Sequence, residues 1–280
     1  MVYDRPETLT DALAILARAP RTLLAGGTDL YPATTAPELA GPVLDITAIP
    51  ELAGISRRDG HLRIGACTPW AAIRDAPLPP ACDALRAAAA GVGGVQIQNA
   101  GTIGGNLCNA SPAADGVPPL LALDAEVELA GTLAGTLDGT PATRRLPLAA
   151  FLAAPRTTAR RPDEILSAVL LPERALAGRS AFGKLGARAH LVISIVMVAA
   201  RIVTEGGRIT AAALAVGAAG PVACRLPALE ARLRGTTGTV PITPADLAPL
   251  SPIDDVRATA PYRREAAAEL LRRAIAEACA

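Results

Sequence analysis

Apolar residues near the start of the chain recur at the spacing of a helix. Leu9, Ala12, Leu13 and Leu16 fall on one face, which predicts an amphipathic helix over residues 7–17. Further along, short apolar runs between turn-forming residues predict buried strands. This pattern gives strands at 23–25, 43–46, 52–56, 61–66, 126–130 and 165–171, and helices at 69–74 and 81–90. The Asp59-Gly60 dipeptide between two of the strands predicts a hairpin.

The last part of the chain has the same alternation of apolar runs and turn residues. Strands at 192–204 and 209–216 are predicted to pair through residues 205–208, which contain two consecutive glycines. Helices are predicted at 226–233 and 263–278. Strands followed by helices are typical of an α+β domain.

Proline, glycine and several charged residues gather at 172–180, and this change of pattern predicts a boundary between two domains. We therefore divide the chain into residues 1–175 and 176–280, with the first part split again into about 1–54 and 55–175. A segment rich in glycine and threonine, residues 131–143, is predicted to be a mobile loop.

Composition narrows the class of protein. A chain of 280 residues is long enough for two domains. Hydrophobic residues make up 51% and aromatic residues only 2%, so the core is expected to consist of closely packed Ala, Leu, Val and Ile. The net charge of +1 gives no electrostatic reason to expect nucleic acid as a partner. The longest apolar run, 191–200, is shorter than the roughly 20 residues of a membrane-spanning helix, so no membrane span is expected.

The cysteines argue against several kinds of site. All five are scattered, and none forms a Cys-x-x-Cys pair, so neither a metal centre nor a disulfide framework is predicted. The N-terminus has no apolar leader, and reduced thiols favour a cytoplasmic protein. No Gly-x-Ser-x-Gly motif is present, and two histidines leave little room for a serine-hydrolase triad.

Two glycine pairs carry the main chemical signal. One lies in Leu24-Ala25-Gly26-Gly27-Thr28-Asp29, directly after a predicted strand. The other lies in the segment 102–115, whose candidate residues are Thr102, Gly104, Gly105, Asn106, Ser111 and Asp115. Glycines let backbone N–H groups approach a ligand closely, and successive N–H groups can hold an anion. A glycine-rich surface loop would show the same composition.

Neither segment fits a common nucleotide motif. The chain has no P-loop consensus, and Gln96 stands where a dinucleotide fingerprint beginning at Gly91 would need its third glycine. A Rossmann fold is therefore not predicted.

Three blocks together resemble a known family. They are Ala25-Gly-Gly-Thr-Asp-Leu30, Thr102-Ile-Gly-Gly-Asn106 continuing to Ser111-Pro-Ala-Ala-Asp115, and Lys184-Leu-Gly-Ala-Arg188 leading to Ile193-Ser194. The chain resembles the FAD-binding (medium) subunit of the molybdenum hydroxylases, the carbon monoxide dehydrogenase and xanthine dehydrogenase family. The resemblance implies an α+β protein: an FAD-binding fold of the vanillyl-alcohol-oxidase (PCMH) type in two subdomains over 1–175, followed by a C-terminal α+β domain with an antiparallel sheet and helices.

The resemblance also implies roles for individual residues. The pyrophosphate of FAD would lie against the two glycine segments, Leu24, Ala25, Gly26, Gly27, Thr28 and Asp29 with Thr102, Gly104, Gly105 and Asn106. Asp115 would hold ribityl or ribose hydroxyls, although it could also simply open a helix. Ser111 would serve either the cofactor or a turn. Ile165 and Leu166 would contact the flavin or adenine ring. Lys184 and Arg188 would lie near the isoalloxazine and favour its reduced form, unless Lys184 is an ordinary surface lysine.

This sequence departs from the family at a few positions. Val92 stands where some relatives have an aromatic residue that stacks on the flavin, and Gln98 stands where arginine is frequent. Neither His61 nor His190 matches a position of covalent flavin attachment. Cys108 lies within the second glycine segment and is predicted to be a small buried filler.

The function implied is electron transfer. In such complexes a molybdopterin-binding large subunit oxidises the substrate, a [2Fe–2S] small subunit passes on electrons, and the FAD subunit delivers them to NAD, a quinone or another acceptor. The sequence leaves two alternatives open, a self-sufficient FAD-dependent oxidoreductase and a flavin-free assembly or scaffold protein.

Overall fold

The computed structural model describes residues 2–36, 39–132, 141–189 and 191–280. The first unit is a small parallel sheet, in which β3 lies between β1 and β2. Its strands are β1 (Tyr3–Asp4), β2 (Thr22–Leu24) and β3 (Val43–Asp45), and helix α1 (Leu9–Arg18) packs beside them. Thr8 caps α1 by accepting a hydrogen bond from the Asp11 N–H, and Leu13 and Leu16 face the core as predicted.

The second unit is a five-stranded antiparallel sheet in the order β4-β5-β10-β6-β7. The central strand β10 is buried along its whole length. The strands are β4 (Ile55–Arg58), β5 (His61–Gly65), β6 (Glu126–Thr132), β7 (Pro141–Pro147) and β10 (Ile165–Pro172). Between β5 and β6 come α2 (Trp70–Asp75), α3 (Asp83–Gly91), α4 (Val95–Ala100), α5 (Ile103–Asn109) and α6 (Val117–Ala122); between β7 and β10 come α7 (Leu148–Phe151) and a short hairpin of β8 (Leu152–Ala154) and β9 (Thr157–Thr158).

The third unit is a four-stranded antiparallel sheet covered by helices. Its strands are β11 (Arg179–Leu185), β12 (Val196–Glu205), β13 (Arg208–Gly217) and β14 (Cys224–Arg225), and its helices are α8 (Pro227–Leu233) and α9 (Ala260–Cys279). Apolar residues of β12, β13, α8 and α9 form one core cluster. The predicted α+β class with a C-terminal antiparallel sheet is confirmed.

A cluster of alanines forms one part of the contact between the second and third units. Ala84 of α3 and Ala122 of α6 pack against Ala199 of β12 and Ala213 of β13. Side chains this small let the helices approach the sheet closely, as the low aromatic content of the sequence required.

Both predicted hairpins are confirmed, but some element assignments were wrong. Residues 131–132 and 141–143, predicted to belong to a loop, are paired strand residues of β6 and β7, and the rest of that predicted loop, 133–140, lies outside the described residues. The strand predicted from residue 192 begins only at Val196. The second glycine segment is not a surface loop over residues 103–109, which form the helix α5.

Candidate functional site

A cleft of about 860 Å³ opens beside the end of β2, the N-terminus of α5 and the start of β10. Residues 191–193, which precede β12, also line it, so the third unit contributes to its wall. All of the predicted site residues except Lys184 and Arg188 line this cleft. Sequence positions as distant as 24 and 166 are thus brought together.

The first glycine loop follows β2 directly. Gly27 has φ +68°, a left-handed conformation, and its Cα faces the ring of Tyr31. Gly26 lies against the backbone of Ala100, where an added Cβ would come within 1.8 Å of the carbonyl oxygen. Among the described residues, no acceptor pairs with the backbone N–H groups of Gly26, Gly27, Thr28 or Asp29. Successive free N–H groups beside a left-handed glycine are the arrangement that binds anions.

The second glycine segment works differently from the prediction. Thr102 caps α5, and its Oγ1 accepts the Gly105 N–H at 3.0 Å. The Gly104 N–H donates to Ala66 O at 2.8 Å, and the Asn106 N–H donates to Thr102 O at 3.0 Å. The expectation that these glycines present free N–H groups to a ligand was therefore wrong. The Thr102 hydroxyl accepts the Gly105 N–H, and the Ala66 carbonyl accepts the Gly104 N–H.

The two glycines of α5 have different roles, because one packs against the core and the other lines the cleft. A Cβ on Gly104 would lie 2.6 Å from the Cβ of Ala66, so this position has no room for a side chain. Gly105 is exposed, and a Cβ there would meet only Thr102 Oγ1, at 3.0 Å. One glycine thus packs the helix against the body of the protein, and the other keeps the cleft free of a side chain.

Asn106 and Ser111 differ in whether their side-chain oxygen already has a hydrogen-bond partner. The Oδ1 atom of Asn106 is buried and has no hydrogen-bond partner among the described residues. A buried amide oxygen without a partner is unfavourable, so a ligand donor would stabilise it. The Oγ of Ser111 already accepts the Ala113 N–H at 3.2 Å, which supports the turn there.

Asp115 is a buried carboxylate that accepts hydrogen bonds from two residues of the third unit. Its Oδ2 lies 2.5 Å from Lys184 Nζ, and its Oδ1 accepts a hydrogen bond from Ser194 Oγ at 2.7 Å. Lys184 also donates to Gly91 O at 3.1 Å. Burial raises the pKa of Asp115, although the Lys184 charge and the hydrogen bonds from Lys184 and Ser194 act in the opposite direction. Lys184 is therefore not a solvated loop lysine but a β11 residue paired with a cleft carboxylate.

Arg188 lies on the exposed segment that leads to the cleft. Its Nε donates to Leu191 O at 3.0 Å, and Leu191 has a left-handed φ of +52°. The following side chains, Val192 and Ile193, line the cleft together with Leu191. The arginine thus fixes the backbone of an apolar wall rather than lining the cleft itself.

Several lining residues were missed by sequence reasoning. Arg160 brings a cation to a cleft whose two glycine segments contain none, and its Nη1 donates to Glu164 O at 2.7 Å. Trp70, Ile97, Leu191 and Val192 add apolar surface. No local pattern marked Arg160, Leu191 or Val192 as cleft residues, because only the packing of distant segments places them here.

Two positions where the sequence departs from the family can now be placed. Val92 lines the cleft, whereas Gln98 is buried away from it, with its amide bonded to Arg74 and to Ala90 O. His61 lies at the β4–β5 hairpin with Nδ1 2.7 Å from Asp59 O, and His190 lies outside the described residues.

The thiols that line the cleft are weak acids. Burial raises the pKa of Cys67 to about 12 and that of Cys108 to about 11. Both are therefore protonated and poorly nucleophilic at neutral pH. In the described part of the chain, no group of three or more His, Cys, Asp or Glu side chains could hold a metal ion. No helix in that part is long and apolar enough to cross a membrane.

Comparisons with known proteins agree over both parts of the chain. Residues 1–174 match the family described as the FAD binding domain in molybdopterin dehydrogenase, and residues 181–278 match the CO dehydrogenase flavoprotein C-terminal domain. The chain is 35% identical over 228 residues to the xanthine dehydrogenase FAD-binding subunit of Escherichia coli O157:H7, covering 80% of this chain and 75% of that protein.

Two further matches extend over nearly the whole chain. The carbon monoxide dehydrogenase medium chain of Hydrogenophaga pseudoflava is 28% identical over 286 residues, which cover 98% of this chain and 95% of that protein. A solved structure of reconstituted CO dehydrogenase from Oligotropha carboxidovorans superposes with a TM-score of 0.85 at 25% identity, covering 100% of this chain and 97% of the other.

Proposed function

This chain belongs to the family of FAD-binding subunits of the molybdopterin dehydrogenases, and we propose that it is the electron-transfer subunit of such a complex. In this role it takes electrons from a [2Fe–2S] subunit and passes them to NAD, a quinone or another acceptor. Its cofactor is FAD, and it is an oxidoreductase subunit with the FAD-binding fold and the C-terminal domain of that family.

The residues of the cleft fit FAD. The free N–H groups of residues 26–29 suit the pyrophosphate, and the side-chain-free surface at Gly105 leaves room for it. The unpartnered Asn106 Oδ1 suits a hydroxyl or amino donor of the cofactor. Ile165 and Leu166, at the buried start of β10, supply apolar contacts for a ring.

Asp115 and Lys184 are proposed to act as one unit. Each Asp115 oxygen has a lone pair left after its bond to Lys184 or Ser194, so the carboxylate can still accept a hydroxyl of the cofactor. Lys184 would then reach the cofactor only through Asp115, and Arg188 only through the Leu191 backbone. Bound FAD can take up electrons singly and release them as a pair, which suits a subunit between a one-electron and a two-electron carrier.

One observation favours electron transfer over substrate oxidation by this chain alone. Among the described residues that line the cleft, none is a free general base. Asp115 is tied to Lys184 and Ser194, Asp29 is paired with Arg156, and both thiols are protonated. A self-sufficient oxidoreductase needs a proton acceptor next to its substrate.

We further propose a molybdopterin-binding large subunit and a [2Fe–2S] small subunit as partners, in the cytoplasm. The test is affinity purification of the chain from its native source, followed by absorption spectra and by iron and molybdenum analysis. We expect two further subunits, both metals and bound FAD. The separated chain should keep FAD, but neither xanthine nor carbon monoxide should reduce it.

Two results would overturn this proposal. Substrate turnover by the separated chain at the rate of the complex would establish the self-sufficient oxidoreductase. A chain without flavin, both alone and in its complex, would establish the scaffold protein.

A further inference from the structure

The free N–H groups that suit an anion share their loop with a carboxylate. Asp29 lies in that loop, lines the cleft and is largely exposed. A negative charge there repels an anionic ligand bound within a few ångströms of it. The loop therefore needs a cation close to Asp29 if it is to hold a pyrophosphate.

Arg156 supplies that cation from a different part of the chain. It occupies the tight turn between β8 and β9, and its Nη1 lies 3.3 Å from Asp29 Oδ2. Arg156 itself does not line the cleft, so its charge would act on a ligand there mainly through its ion pair with Asp29. The other cations beside the cleft have other partners: Arg160 donates to Glu164 O, and Arg21 donates to Asp4.

The position of Arg156 is fixed by the end of α5. Its backbone N–H donates to Ala110 O at 2.9 Å, and its Nη1 also contacts the Oδ1 of Asn109. Arg156 has φ +60° and Ala110 has φ +45°, conformations that non-glycine residues adopt at a cost of about 1 kcal/mol or more. The turn and the helix end thus hold the arginine in one place despite its exposure.

We propose that Arg156 is a positioning residue for FAD, which neutralises Asp29 so that the first glycine loop can accept the pyrophosphate. This inference rests on the proposed location of FAD. It predicts that the loss caused by removing the arginine depends on the Asp29 charge, and not merely on the shape of the turn.

The experiment titrates FAD into the full-length, flavin-free chain at about 0.1 M and about 1 M salt, where the Debye length falls from about 10 Å to about 3 Å. The variants are Arg156→Met, Arg156→Lys, Asp29→Asn and the double variant Asp29→Asn with Arg156→Met. Arg58→Met is the matched control, because it removes another exposed, paired arginine whose partner, Asp59, lies at a hairpin that does not line the cleft.

For Arg156→Met we expect the FAD dissociation constant to rise about fivefold at low salt and to change much less at high salt. Arg156→Lys and Arg58→Met should each stay within about twofold of the parent, and the double variant should stay within about twofold of Asp29→Asn. An unchanged dissociation constant in Arg156→Met at low salt overturns the inference, and so does a loss of affinity from Asp29→Asn to the double variant as large as that from the parent to Arg156→Met. A further variant, Gly105→Val, places a side chain in the cleft. If Gly105→Val weakens FAD binding and Arg156→Met does not, the proposed site stands without the role of Arg156; if neither variant affects FAD binding, the location of the cofactor is wrong.

Discussion

Asp115 is the residue at which burial and charge oppose each other most directly. The carboxylate is only 8% exposed, so desolvation raises its pKa above the ordinary value of 3.8. The folded protein then binds this proton more tightly than the unfolded chain does. Stability contributed by Asp115 is accordingly greatest in acid and declines as the pH rises from 3.8 through the folded pKa. Lys184 limits that decline because its charge favours the carboxylate.

Replacing Lys184 should therefore produce a pH-dependent loss of stability. In Lys184→Met the pKa of Asp115 rises further, and the buried carboxylate loses its cation. We expect the flavin-free variant to be about 3 kcal/mol less stable than the parent at about pH 7, with a clearly smaller difference at about pH 4. Urea unfolding across this range measures the difference, and other titrating groups cancel between the two proteins.

The double variant Lys184→Met with Asp115→Asn is the control for this prediction, since it removes the titrating group. Its stability difference from Asp115→Asn, which also lacks the titrating group, should not vary with pH. A loss in Lys184→Met that is the same at every pH would show that the lysine contributes packing alone.

At the level of elements, α5 has two glycines with opposite surroundings. Gly104 faces Ala66, and a methyl group there would overlap both the Ala66 Cβ and the Ala66 carbonyl oxygen, at 2.6 and 2.7 Å. Gly105 faces the cleft, where a side chain meets only the hydroxyl of Thr102. The same short helix therefore separates a packing role from a binding role in adjacent residues.

Substitutions on α5 should separate these roles. Gly105→Val places a branched side chain in the cleft, and we expect FAD affinity to fall at least about tenfold while the melting temperature of the flavin-free chain changes by only a few degrees. Gly104→Ala should lower stability by about 1–3 kcal/mol, because the core must shift to admit the methyl group. Fluorescence titration and thermal unfolding of each variant provide the measurements. Full flavin binding by Gly105→Val would contradict the location of the cofactor.

The elements that the sequence predicted well are those set by neighbouring residues in the chain. The hairpins at 58–61 and 205–208 followed from turn residues between apolar runs, and both formed. Strand β11, in contrast, contains Arg179, Gly183 and Lys184 and has no regular alternation, so only its pairing with β12 makes it a strand. The helical form of 103–109 was missed because glycines usually weaken helices; the Thr102 cap and contacts with Ala66 and Thr68 offset that cost.

In the site, too, the residues marked by a local motif were predicted, and those placed by long-range contacts were missed. The glycine segments were found because their residue types and order carry the signal. Arg160, Arg156, Leu191 and Val192 were not found, because each reaches the cleft or its loops through contacts between segments far apart in the chain. Gly104 and Gly105 line the cleft, but their hydrogen-bond partners are not revealed by any sequence pattern.

At the scale of the whole molecule, two arginines join the C-terminal sheet to the FAD-binding part. Arg201 of β12 donates to Ala122 O at 2.8 Å, and Arg225 of β14 donates to Leu121 O at 2.9 Å. These carbonyls lie at the end of α6, where Leu121 O also accepts the Asp124 N–H at 3.1 Å. Arg225 also pairs with Asp124 at 2.8 Å and with Glu230 at 2.6 Å. The cleft has walls from both parts, so this contact bears on cofactor binding as well as on stability.

Arg225→Met should weaken the coupling between the two parts of the chain. It leaves the largely buried Glu230 without its cation and removes a donor from the end of α6, so we expect a loss of about 2–4 kcal/mol. The single tryptophan, Trp70, lies in the core of the N-terminal part, and its fluorescence reports unfolding there. Far-ultraviolet circular dichroism reports the whole chain. In the parent the two transitions should coincide, and in the variant they should separate.

The matched control is Arg272→Met, which removes an arginine paired with Glu269 on the same helix, α9. That pair is exposed and joins no two parts of the fold, so its loss should change stability by less than about 0.5 kcal/mol and leave the transitions together. If Arg225→Met also kept both transitions coincident at the parent midpoint, the alanine contact at α3 and α6 would suffice to couple the two parts. Separated transitions in Arg225→Met alone would instead assign the coupling to the charged contacts at the end of α6, through which the C-terminal sheet keeps its wall of the cleft in place.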